Sequence, residues 1–276
     1  GWADELKREI ERFKEMEKRA FVLEMGGAVG TLASQPEKGL ETQEKMAEIL
    51  GLRVPLIAWH TARDNQAELA SDLALLAGTM GRICYEIFTL QRTEILELEE
   101  PFFKGKIGSS TMPHKVNPIR FENAEANFEI SCSLLDTLSA TLVESRWQRD
   151  LTDSTTQRNI GSALGYSVLA HNNLLGGLKS VHPNTQVMDR ELDENWEVLG
   201  EPIQTAMRAC ELKGLPGMDK PYEKVKELMR GHTINKEQVE QFIDQQSFDP
   251  ETAARLKALT PATYTGVASQ LVAFGR

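Results

Sequence analysis

Residues 121–142 read FENAEANFEISCSLLDTLSATL, and within them Phe121, Ala124, Phe128, Ser131, Leu135, Leu138 and Leu142 recur at alternating steps of three and four. That period is the seam of a helix packed along other helices; a half-buried strand would alternate at every second residue instead. Two more segments carry the same signal. One runs Leu69, Leu73, Leu76, Met80, Ile83, Ile87 and Leu90, the other Ile160, Leu164, Ser167, His171, Leu174 and Leu178. Three long helices with seven-residue repeats bury their seams against one another. Ala124, Ser131, Ser167 and His171 are small or polar for seam positions, which allows close approach and suggests faces shared with more than one neighbour.

Working outward, residues 2–24 predict a further helix, broken by the glycines of MGGAVGT at 25–31, and a shorter helix follows near 41–51. After His182-Pro183-Asn184 the segments shorten and are punctuated by Pro202, Gly214, Pro216, Gly217, Pro221, Gly231, Pro250 and Pro261. The fold class is therefore all-α: a long helical bundle over residues 1–183 and a small helical domain over 184–276. GGAVG at 26–30 has the wrong spacing for a dinucleotide fingerprint and no βαβ context, so it reads as a turn or helix break.

Composition narrows the function classes. Against 31 lysines and arginines stand 41 aspartates and glutamates, a formal charge of −10 with no basic run, which argues against a nucleic-acid partner. Cys84, Cys132 and Cys210 are few, far apart and outside any CxxC spacing, so neither a disulfide framework nor a metal site is expected and a reducing cytoplasm is the default. No apolar stretch approaches the roughly 18–20 residues that span a bilayer, so no membrane partner is expected. The glutamates at 94, 97, 99 and 100 lack histidine partners and read as a solvated face.

Residues 108–118, GSSTMPHKVNP, have no apolar periodicity. Asn117-Pro118 reads as a helix start, with an N-cap side chain and proline at the first helical position, so the loop ends on a helix N-terminus that favours anions. Two readings follow: a capped surface loop, or a cluster of hydroxyl, amide and amine donors held for a ligand.

This loop resembles the signature loop of the fumarase/aspartase superfamily, lyases that eliminate a group across a C–C bond to give fumarate. SRWQRDLTDSTTQR at 145–158 resembles the nucleotide-gripping segment of the bacterial adenylosuccinate lyase family. LDENWEVLGEPIQTAMR (192–208), PYEKVKELMRG (221–231) and TPATYTG (260–266) are similar to that family's carboxy-terminal domain. The resemblance implies cofactor-free anti β-elimination of adenylosuccinate to AMP and fumarate, and of SAICAR to AICAR and fumarate, in a cytoplasmic homotetramer with shared active sites. It implies Ser109 as general base, Lys115 as partner of the reacting carboxylate, and Ser110, Thr111, Met112 and Asn117 as substrate contacts. Arg149, Ser154 and Arg158 would hold the phosphate and carboxylates, guanidinium forks suiting both. From the residues alone, the two arginines could instead pair with Glu144, Asp150 or Asp153 inside the bundle.

Residues 20–107 are more similar to 3-carboxy-cis,cis-muconate cycloisomerase, with Trp59 where adenylosuccinate lyases usually carry glutamine. The family's general acid lies in an HGQ-type motif, which none of His60, His114, His171, His182 and His232 matches. His60 reads as a substrate contact or the cap of the Leu69 helix, and His114 as a loop-orienting or a solvated residue. The chain is accordingly expected to be the carboxy-terminal portion of a longer enzyme and inactive by itself. A muconate-type cycloisomerase and a non-catalytic helical assembly protein are the alternatives.

Overall fold

The computed structural model describes residues 1–58, 62–101, 111–112, 117–146, 151–231 and 233–274. The chain divides after His182 into two compact units, Gly1–His182 and Pro183–Arg276. Nearly all described regular structure is helical; the only extended pieces among the described residues, apart from an isolated bridge between Val22 and Arg53, are the two-residue strands Leu98–Glu99 and His182–Pro183.

The first unit contains α1 (Trp2–Ala20), α2 (Gly39–Leu50), α3 (Asp64–Thr89), α4 (Ile119–Leu142), α5 (Thr152–Gln157) and α6 (Ile160–Leu178). The centre is α4, whose buried residues are Phe121, Ala124, Phe128, Ser131, Leu135, Leu138 and Leu142, the seam read from the sequence. It packs antiparallel to α6: Arg120 donates to the Gly176 carbonyl, the Phe128 ring meets His171 edge-on at 4.8 Å, and Ser131 Oγ donates to the Ala163 carbonyl at 2.9 Å. It is also antiparallel to α3, where Cys132 Sγ lies 3.6 Å from the Ala74 carbonyl oxygen. Helix α1 lies along α3, joined near its two ends by Glu5–Arg82 and Arg19–Glu68 ion pairs.

On the flanking helices the buried stripes differ from the expected ones. In α3 the inner face is Ala67, Ala70, Ala74 and Ala77 before it becomes Ile83, Cys84 and Ile87, while Leu69, Leu73, Leu76 and Met80 are only half-buried. In α6 it is Ala163, Ser167, Ala170, Leu174 and Gly177, whereas Ile160, Leu164 and Leu178 are exposed. Small residues win because α4 brings two phenylalanines to the seam and its neighbours must come close. A Cβ on Gly177 would lie 2.7 Å from Phe121 Cζ. Larger side chains on α3 and α6 rotate outward, leaving an apolar outer surface that includes Leu75, Leu164, Val168, Leu169 and Leu175.

The second unit comprises α7 (Thr185–Glu194), α8 (Gly200–Leu212), α9 (Pro221–Met229), α10 (Lys236–Asp244), α11 (Pro250–Lys257) and α12 (Ala268–Phe274). Its core gathers Leu199, Ile203, Met207, Met218, Ile234, Val239, Ile243 and Leu256. The short helices are stopped and started by local chemistry. Asn235 and Gln238 form a reciprocal capping box on α10, and Asp249 caps α11 by accepting from the Thr252 backbone at 2.9 Å and its hydroxyl at 2.8 Å.

Candidate active site

The described residues among the site candidates named from the sequence fall at two places in the first unit. Ser109, Ser110, Lys115 and Arg149 lie outside the described residues, as do His60, His114 and His232. Thr111 and Met112 are exposed, and Asn117 is half-buried at the start of α4. Met112, Asn117, Pro118 and Glu122 line a hollow together with Phe88, Glu99, Glu100 and His182. The hollow is bounded by the C-terminal end of α3 and the N-terminal end of α4.

Helix α4 begins one residue later than its sequence implies. Pro118 is itself the N-cap, with φ −75° and ψ 60°, and no side chain among the described residues caps the helix. The Ile119 N–H donates to the Asn117 carbonyl at 2.8 Å in a tight three-residue turn, so ψ at Pro118 is not helical and the proline stands before the first turn instead of within it. Asn117 is thus placed just outside the helix. A second correction concerns the glutamates: Glu100 is buried, 5% exposed, with its N–H donating to Gln91 Oε1 at 3.1 Å. The chain turns back there against the end of α3, so Glu100 does not belong to a solvated face. His182 Nε2 lies 3.7 Å from Glu99 and pairs with it when protonated.

Ser154 and Arg158 lie elsewhere. They belong to α5 and its C-terminal boundary, beyond the C-terminal end of α4 and before α6 begins. One turn apart, they share a helix face. Ser154 is half-buried and its N–H donates to the Leu151 carbonyl at 3.1 Å; Arg158 is exposed and has no ion-pair partner among the described residues. Asp153, considered above as a partner for the arginines of this segment, is 1% exposed and pairs with Arg63, at the N-terminal boundary of α3. Asp153 also accepts from Gln157 Nε2 at 2.9 Å. Sequence reasoning missed Arg63 because it stands about ninety positions upstream of Asp153, at the N-terminal boundary of a different helix; only the antiparallel packing of α3 and α4 brings it to α5.

The separation follows from helix length. Helix α4 has 24 residues, which at 1.5 Å per residue is about 36 Å. Asn117 stands at one end of that rod and Ser154 and Arg158 beyond the other. No metal-binding group of three or more candidate ligands occurs among the described residues.

Residues 1–129 match the family model described as Lyase, and residues 145–265 match Adenylosuccinate lyase C-terminal. The 3-carboxy-cis,cis-muconate lactonizing enzyme from Pseudomonas putida superposes over 98% of this chain and 59% of its own, with a TM-score of 0.74 and 28% identity. Between them the two matching family models, both of lyases, take in parts of both units of this chain. A fumarate lyase from Mesorhizobium sp. BNC1 shares the fold at TM-score 0.75, over 99% of this chain and 61% of that one, at 24% identity. The adenylosuccinate lyase of Escherichia coli K12 is 52% identical over 168 residues, 61% of this chain and 36% of that protein. For the Vibrio cholerae enzyme the figures are 50% over 167 residues, 60% and 35%. The aligned part thus spans little more than a third of each of these two curated relatives. The helical fold described above is shared with these solved structures, and no described helix is long and apolar enough to cross a membrane.

Proposed function

We propose that this chain is part of an adenylosuccinate lyase, which splits adenylosuccinate into AMP and fumarate, and SAICAR into AICAR and fumarate, by cofactor-free anti β-elimination in purine biosynthesis. The observation that carries the reading is α5: Ser154 and Arg158 share one face, and Arg158 offers an exposed guanidinium without a competing carboxylate among the described residues. Identity of 52% to the Escherichia coli enzyme supports the same substrate class.

In the proposed reaction, Ser109 takes the proton from the carbon beside a substrate carboxylate. The electron pair left behind moves into that carboxylate as an aci-carboxylate, then forms the C=C bond of fumarate as the C–N bond to the purine breaks. The leaving nitrogen gains a proton. Lys115 and Asn117 hold the carboxylate while its charge grows, and donors fixed in advance around developing charge supply much of the rate. Serine is a weak base at its ordinary pKa, so Ser109 needs the ammonium of Lys115 and nearby N–H donors to stabilise its alkoxide. Ser110, Thr111 and Met112 complete the fumarate side; Arg149, Ser154 and Arg158 grip the phosphate and carboxylates.

Because Asn117 and the Ser154–Arg158 face stand at opposite ends of α4, one chain cannot bring both to a single substrate. We therefore read the complete site as shared between copies, in a homotetramer whose contacts cover the exposed apolar faces of α3 and α6. The compartment proposed is the cytoplasm. A muconate-type cycloisomerase is the second reading, favoured by the 28% identity to the Pseudomonas putida enzyme across 98% of the chain. Side-by-side titration with adenylosuccinate and 3-carboxymuconate separates the two. Saturable binding of the nucleotide alone supports the lyase, and binding of the muconate alone overturns it.

A further inference from the structure

Helix α5 has six residues, too few to persist on helix propensity alone. Something else must fix where its two faces point. One face carries Ser154 and Arg158. The adjacent face carries Asp153 and Gln157, turned inward and tied together at 2.9 Å, while Thr156 Oγ1 donates to the Asp153 carbonyl at 2.9 Å. The inward face ends on Arg63, whose side chain is 6% exposed against 1% for Asp153. An ion pair this deeply buried is a poor source of net stability, since the desolvation of both charges cancels much of their attraction. What it does supply is direction: a guanidinium meets a carboxylate in few orientations.

We propose that Arg63 is a positioning residue for nucleotide binding, acting through Asp153 and Gln157 to set the face of α5 that presents Ser154 and Arg158. The inference rests on the reading of α5 as the nucleotide grip. It adds that a residue of α3's boundary, outside the grip segment, sets substrate affinity. Misplacing a binding group by about 1 Å can cost on the order of a hundredfold, so loosening this anchor weakens affinity even where the fold survives.

The test compares wild type, Arg63→Lys, and the double variant Arg63→Met with Asp153→Leu, which replaces the buried pair by apolar side chains of similar size. Three quantities are measured: AMP affinity by calorimetry, the urea midpoint, and hydrogen exchange of residues 152–158 relative to α4 and α6. The expected result is a double variant with a urea midpoint near wild type, AMP binding weakened about tenfold or more, and fast exchange confined to 152–158. Arg63→Lys should fold normally and regain only part of the affinity. A double variant that binds AMP like wild type overturns the proposal and leaves the nucleotide reading standing. If wild type itself does not bind AMP while exchange at 152–158 still depends on Arg63, the nucleotide reading fails and takes Arg63's assigned role with it. Should the double variant not fold, Arg63→Lys decides: wild-type affinity in that variant overturns the proposal.

Discussion

Asp153 and Arg158 belong to the same short segment and have opposite surroundings, and that contrast organises the site at the scale of single residues. Asp153 is sealed against Arg63; Arg158 faces solvent. Removing Arg63's side chain, as in Arg63→Ala, takes an ion-pair partner away from a buried carboxylate. The expected loss of unfolding free energy is about 3–5 kcal/mol, read from the shift in urea midpoint. Arg158→Ala should leave that midpoint within about 0.5 kcal/mol of wild type, as surface substitutions do. The cysteines give a sharper chemical check. Burial, reinforced by the Glu125 carboxylate, pushes the Cys84 thiol up to about 12. It therefore stays protonated and unreactive at pH 8. Iodoacetamide should modify Cys84 only after denaturation, and mass spectrometry showing native modification would contradict the packing around it.

At the scale of elements, the alternation of large and small residues decides the fit. Ala163 is fully buried where α6 meets α4, and Ser131 donates to its carbonyl. Ala163→Leu should overpack this contact and cost about 1–3 kcal/mol, again measurable as a urea midpoint. Helix α11 gives a pH prediction. The backbone and side-chain hydrogen bonds from Thr252 hold Asp249 below its ordinary pKa. With the folded pKa depressed, this cap's contribution is present above the unfolded pKa and is lost as pH falls through the folded one. Asp249→Asn keeps an N-cap acceptor without the titration, so the acid-induced fall in the midpoint should be shallower in that variant. How far the sequence discloses these elements depends on what competes for a seam. The seam of α4 was legible residue by residue because its own large side chains fill it. The seams of α3 and α6 were not, since alanine and glycine carry little hydrophobic signal and the conspicuous leucines beside them face outward. The start of α4 shifted for a local reason, the non-helical ψ of Pro118. Arg63 was hidden because the contact depends on an antiparallel return across the bundle, which local pattern does not encode.

For the whole molecule, the outward leucines and the length of α4 point the same way. An apolar surface with Leu164, Val168, Leu169 and Leu175 on one helix is costly to leave in water, and such patches mark association sites. Light scattering should find an oligomer, and Leu164→Glu combined with Leu175→Glu should release monomers whose circular dichroism remains helical. A wild-type chain that stays monomeric at micromolar concentration would remove the argument for shared sites. The central claim, that α5 presents a nucleotide grip, is tested most directly by thermal protection with adenylosuccinate in wild type and Arg158→Ala. Ligand that binds only the folded state raises the melting temperature by mass action, so contact and fold are separable. The account predicts a rise for wild type that is lost in Arg158→Ala, with the two unliganded melting temperatures alike. Equal protection of both proteins, or no protection of wild type, would contradict it.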